Sequence, residues 1–166
     1  MAIELLEGPW LKKRTTLRLG GKAIAEVVLR AREDLDELPS LLARLGGAPL
    51  VLGRGSNILA KDNDLPLLVV TPAFNKPCEI VAQDESSVLL DVQGYTALPA
   101  LLKNLAERGL SGLEGLSGIP GTVGGAIAMN AGSYGNQFGE CMEELEVFSP
   151  ENGLRSLGKK DFKRIK

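Results

Sequence analysis

Apolar positions recur along this chain with two different periods. Ala23 to Arg30 (Ala-Ile-Ala-Glu-Val-Val-Leu-Arg) is an apolar, β-branched run and predicts a strand. Leu35, Leu38, Leu41, Leu42 and Leu45 then share one helical face. They predict a helix over 34–45, capped by Asp34 or Asp36, with Pro39 in its first turn and Gly46-Gly47 as its stop. Short strands follow at 49–52 and 67–70, with a polar turn Lys61-Asp-Asn-Asp64 between them. Strands are also predicted at 78–82 and 87–92, joined by the turn Gln83-Asp-Glu-Ser86. Leu98, Leu101, Leu102 and Leu105 predict a second helix, started by Thr96 and ended at Gly109. A last strand over 141–149 turns at Pro150-Glu-Asn-Gly153 into a partner over 154–157. Residues 1–14 read as a lead-in arm broken at Gly8-Pro9, with Trp10 a packing anchor. Thr15 to Gly21 reads as a short extended piece and a turn. The prolines at 72 and 77 mark a connection, so the expected lobes are 1–74 and 75–166.

One stretch obeys neither period. From Gly112 to Ala126 glycine recurs at 112, 115, 118, 121, 124 and 125, with Leu113, Leu116, Ile119 and Val123 between, and the only charge is Glu114. A flexible linker would be polar throughout. Glycine interleaved with apolar residues marks backbone brought close to something and then buried.

Composition narrows what approaches it. Twenty glycines in 166 residues exceed the roughly 7% average, and they cluster. A net charge of −2 gives no electrostatic case for nucleic acid or an anionic membrane. The absence of histidine removes the commonest general base and the commonest metal ligand. Cys78 and Cys141 are isolated, so no metal site is expected and both thiols are expected to be free. No basic-then-apolar leader and no run of about 18 apolar residues is present, and a cytoplasmic protein is expected. The basic end, Lys159 to Lys166, reads as a solvated tail.

Two loops are candidates for chemistry. Leu52 leads into Gly53, Arg54, Gly55, Ser56 and Asn57. A strand end followed by Gly-x-Gly-Ser offers consecutive amides without Cβ obstruction, which suits phosphate, although a tight turn would use the same residues. It lacks the Gly-Lys-Ser/Thr ending of a P-loop and the third glycine of a dinucleotide fingerprint. The second loop is Ser117, Gly118, Ile119, Pro120, Gly121, Thr122, Val123, Gly124, Gly125 and Ala126. Pro120 has no N–H, and the amides of Ile119, Gly121, Thr122, Gly124 and Gly125 are expected to point at a ligand; the alternative is a glycine-rich packing corner. Together the loops suit a large phosphate-bearing cofactor between two lobes.

These residues, followed by Asn130, Ala131, Gly132, Tyr134 and Gly135 in an Asn-Ala-Gly-x-Tyr-Gly run, resemble the bacterial UDP-N-acetylenolpyruvoylglucosamine reductases (UDP-N-acetylmuramate dehydrogenases). Thr16-Leu-Arg-Leu-Gly-Gly21 resembles that family's N-terminal loop, with Thr15 where asparagine is usual. The resemblance covers about residues 10–162. It implies an α/β (α+β type) two-lobe FAD-binding fold of the vanillyl-alcohol-oxidase type. It also implies non-covalent FAD, with 52–57 on the pyrophosphate, 117–126 along the pyrophosphate, ribityl and flavin region, and 130–135 facing flavin or substrate. NADPH would be the reductant and a UDP-sugar enolpyruvyl ether the substrate, in peptidoglycan precursor synthesis, with a monomeric full-length enzyme.

By the same resemblance, a C-terminal substrate domain supplies a serine proton donor and a glutamate, and neither has a counterpart here. The family's Tyr-Arg-x-Ser motif is replaced by Phe162-Lys-Arg-Ile-Lys166, so no catalytic role passes to Arg164. The expectation is the FAD-binding portion of such a reductase, inactive alone. The alternatives are a non-catalytic FAD- or nucleotide-binding module and another vanillyl-alcohol-oxidase-type oxidoreductase. The latter is disfavoured because neither loop has a histidine or cysteine beside it for covalent flavin attachment.

Overall fold

The computed structural model describes residues 3–74 and 76–162 and divides them into two compact units. One runs to Ala73 and resumes at Met142; the other is Phe74–Cys141. The expected division into 1–74 and 75–166 differs from this one, because the last hairpin clusters with the first unit.

The first unit is built on a four-stranded sheet ordered β1 (Glu4–Glu7), β2 (Ala23–Leu29), β4 (Leu65–Pro72), β3 (Ala48–Val51). β2 and β3 both run parallel to β4, and β1 is antiparallel to β2. The lead-in arm is therefore partly an edge strand; its mixed Glu-Leu-Leu-Glu pattern hid it because an edge strand buries little on either face. β2 and β4 are central, so Val27, Leu29, Leu68 and Val69 are buried to within a few per cent. Leu11, Ala23, Leu52 and Val69 form a core cluster on which Ile58, Ala60, Leu65 and Leu67 pack. The expected 34–45 helix is two pieces, a 3₁₀ turn Arg32–Asp36 and α1 (Leu38–Leu45). Asp34 caps the earlier turn, accepting the amides of Arg30 (2.7 Å) and Ala31 (2.9 Å), and Pro39 sits in the first turn of α1 as expected. Trp10 is an edge residue with the Lys12 and Lys22 ammonium groups over its ring rather than a buried anchor. β9 (Glu144–Ser149) and β10 (Gly153–Gly158) form the closing hairpin, and Arg32 pairs with Glu146 on β9. The basic tail begins ordered: Lys159 pairs with Glu143 at 2.6 Å. Arg164 lies outside the described residues.

The second unit holds the hairpin β5 (Glu79–Gln83) and β6 (Val88–Asp91), α2 (Leu98–Glu107), α3 (Val123–Ala128) and the small β7 (Gly132–Ser133) and β8 (Asn136–Gln137) pair. Leu98, Leu101 and Leu105 bury the inner face of α2. Ala97 rather than Thr96 is its N-cap, and no side chain caps it. Thr96 turns instead to the glycine stretch: its carbonyl accepts the Val123 amide. The α3 turn was not legible in the sequence, because glycines at 124 and 125 oppose a helix on propensity alone.

The β5–β6 turn carries a pH-dependent contact. The Asp84 carboxylate accepts hydrogen bonds from the Ser86 and Ser87 amides and hydroxyls, which hold its pKa down to about 2. A folded pKa below the unfolded value of about 3.9 stabilises the hairpin above that value, and the contribution is lost as pH falls through the folded pKa. The stability gap between wild type and Asp84→Ala should therefore narrow as pH drops from about 4 to about 2. An Asp84 carboxyl NMR titration with its midpoint near 4 would contradict this.

Candidate functional site

The first candidate loop leaves the C-terminal end of β3. Leu52, 2% exposed, is pinned at its root: its amide donates to the Val70 carbonyl (2.9 Å) and its side chain fills the core cluster. The chain then turns through half-buried Gly53, exposed Arg54, buried Gly55, half-buried Ser56 and exposed Asn57 with no helix following. Gly55 sits at φ +62°, and an added Cβ would enter the space of the Arg14 carbonyl. Its own carbonyl accepts the Thr16 amide at 3.0 Å. The turn 14–16 is thus the wall behind this loop. Nearby, Gly20 and Gly21 donate to the Asp62 carboxylate (2.9 Å) and the Lys61 carbonyl (2.7 Å), tying 15–21 to the polar turn after the loop. Among the described residues the amides of Gly53, Arg54, Gly55 and Asn57 have no hydrogen-bond partner. No acidic side chain lies within 52–57, and Arg54 adds a cation. Partnerless amides, no repelling carboxylate and one guanidinium fit a phosphate.

The second candidate loop, in the other unit, divides its amides. Ile119 donates to Leu116 (3.1 Å), Gly124 to Gly94 (2.6 Å), and Gly125 to the Thr122 hydroxyl (3.2 Å). Leu98 donates to Gly121, and Val123 to Thr96. These bonds dock the stretch on 94–98, and a Cβ on Gly124 would press on the Gly94 carbonyl at 3.0 Å. The expectation that Ile119, Gly124 and Gly125 turn their amides to a ligand is corrected: there the packing-corner reading holds. The amides of Gly118, Gly121 and Thr122 have no partner among the described residues. Ser117, Gly118 and Pro120 are exposed, while Gly121, Thr122 and Ala126 are buried. The Glu114 carboxylate folds back on its own amide and that of Gly112 (2.5 Å), which lowers its pKa and keeps it off the loop.

The third segment continues from α3. Asn130 has φ +42°, and its side chain clamps the turn: Nδ2 donates to Gln137 (2.8 Å) and Oδ1 accepts the Gly139 amide (3.1 Å). Ala131 is held by the Ala126 carbonyl (2.7 Å). Gly132 and Ser133 form β7, and Tyr134 (φ +51°) is 91% exposed ahead of Gly135. Met129, Asn130, Gly132, Ser133, Gly135 and Gln137 line an open depression of about 420 Å³. It contains no carboxyl, ammonium or imidazole group. The residues that sequence reasoning missed are Arg14, Glu26 and Thr71. The available signal was Glu26, a lone charge inside the apolar β2 run.

Comparison with known proteins assigns the family. A model described as an FAD binding domain matches residues 24–157. The chain belongs to the FAD binding domain family. The cofactor of this FAD-binding domain is FAD, and its match spans both glycine loops. A UDP-N-acetylenolpyruvoylglucosamine reductase of Oleidesulfovibrio alaskensis is 58% identical over 152 residues, 90% of this chain and 51% of the relative. The crystal structure of UDP-N-acetylenolpyruvylglucosamine reductase from Thermus caldophilus matches with a TM-score of 0.72 at 33% identity, over 97% of this chain and 54% of that one. A solvent-stable cholesterol oxidase matches with a TM-score of 0.71 at 16% identity, over 96% of this chain and 34% of that one, a likeness of fold alone. The α+β FAD-binding fold is thereby shown. The chain spans about half the length of the curated relatives it matches.

Proposed function

We propose that this FAD-binding domain serves a UDP-N-acetylenolpyruvoylglucosamine reductase, in which NADPH reduces FAD and the enolpyruvyl ether of a UDP-sugar is converted to the muramic acid form for peptidoglycan precursors in the cytoplasm. The observation that carries the reading is the set of partnerless amides at Gly53, Arg54, Gly55 and Asn57 in a chain matching the FAD family over 24–157. Those amides would hold the FAD pyrophosphate, with Arg54 adding charge; within the second unit, Gly118, Gly121 and Thr122 are the candidate ligand-binding amides. When bound, FAD supplies the hydride-transfer chemistry. Asn130 acts by holding the 130–139 turn in shape, because both ends of its side-chain amide are already engaged inside the protein.

The proton that must accompany the hydride is not provided by the depression beside Asn130, whose lining has no titratable acid. We therefore expect this chain by itself to bind FAD without oxidising NADPH in response to the enolpyruvyl substrate. Titration of the purified chain with FAD, read by flavin fluorescence and visible absorbance, should give a saturating one-to-one complex. Lack of binding would refute the function, and NADPH oxidation dependent on the enolpyruvyl substrate would refute the expected inactivity.

A further inference from the structure

Behind the 53–57 loop lies a buried polar network that its chemistry leaves unexplained. Arg14 Nη2 donates to Glu26 Oε1 at 2.5 Å and to Thr71 Oγ1 at 3.1 Å, and the Thr71 hydroxyl donates to Glu26 Oε1 at 2.7 Å. Glu26 is 2% and Thr71 3% exposed. They stand on neighbouring parallel strands, β2 and β4, in the middle of the sheet. A carboxylate there costs free energy that an apolar residue would not, so stability alone does not account for it.

What the network holds is the backbone of Arg14. The Arg14 carbonyl fills the place of a side chain at Gly55, and two residues on, the Thr16 amide binds the Gly55 carbonyl. The root of the loop is fixed separately, through Leu52 to Val70 of β4. The loop therefore has two supports on the sheet: one through β4 backbone at its start, the other through Arg14 to Glu26 and Thr71 at its middle. A turn with a positive-φ glycine and several amides without protein partners has little else to keep those amides convergent.

We propose that Arg14, Glu26 and Thr71 are positioning residues for the 53–57 loop, holding its amides in the geometry that a diphosphate requires. The inference rests on the FAD reading for its ligand but not for its structural content. Thr71 is the cleanest handle, because Val keeps its shape and removes the hydroxyl, while Ser keeps the hydroxyl.

The experiment compares wild type, Thr71→Val, Thr71→Ser and Asp34→Ala, all full chain. Asp34→Ala loses a buried carboxylate in the same unit that caps a turn elsewhere, and so controls for general destabilisation. Thr71→Val should weaken FAD binding about tenfold at a temperature where all four are folded, with Thr71→Ser and Asp34→Ala near wild type. In the FAD-free protein, tryptic cleavage after the exposed Arg54, followed by mass spectrometry, should be several-fold faster in Thr71→Val alone. Unchanged cleavage in Thr71→Val, or equal acceleration in Asp34→Ala, overturns the proposal. Faster cleavage with unchanged FAD affinity also overturns it. If wild type binds no FAD, the function fails and the cleavage rates alone decide the positioning role.

Discussion

Arg14→Met should lower the unfolding free energy by about 3 kcal/mol, the low end of the range for breaking a buried ion pair because Arg14 keeps a third of its side chain in solvent. The effect is that of the partner left behind. Glu26, with a side chain only 3% exposed, loses its cation and retains a single hydroxyl donor, Thr71. Glu26→Leu should cost less, about 1–2 kcal/mol, because the stranded guanidinium is the more exposed group and water can reach it. Combining the two should cost less than the sum by about 2 kcal/mol, since the double replacement removes both charges together. Urea denaturation of the four proteins measures all three quantities. Strict additivity would show that the two side chains do not act as a pair.

Gly55→Ala should be comparably severe and should also abolish FAD binding. Two costs add. At φ +62° an L-residue pays roughly 1–2 kcal/mol, and the new methyl would meet the Arg14 carbonyl, a backbone atom that cannot rotate aside. Overpacking against backbone adds about 1–3 kcal/mol. The comparison is Gly109→Ala, at φ +68° with open space around it, which should pay only the backbone strain. Thermal unfolding of both variants separates the terms, and an equal loss at the two positions would contradict the steric argument. FAD titration of Gly55→Ala below its melting temperature tests the functional half: the loop must move, and its amides move with it.

Local chemistry makes most elements and the family legible in the sequence. β2, α1, β4, the two hairpins and α2 follow from periodic apolar residues and from Gly or Pro at their ends, because each signal is contained within a few neighbouring residues. The two glycine loops were legible for the same reason: a strand end running into Gly-x-Gly-Ser-Asn, and glycines spaced through an apolar stretch, state their close-approach geometry locally. Tertiary structure decided what no local window contains. It made β1 an edge strand, returned β9 and β10 to the first unit, and folded Val123–Ala128 into a helix through hydrogen bonds to Gly94 and Thr96. It also divided the amides of the glycine stretch, spending those of Ile119, Gly124 and Gly125 on packing and leaving those of Gly118, Gly121 and Thr122 without partners. Arg14, Glu26 and Thr71 became one network only because the parallel register of β2 and β4 brings together residues far apart in the chain. Hydrogen bonds across such distances depend on register and burial, which are properties of the assembled sheet.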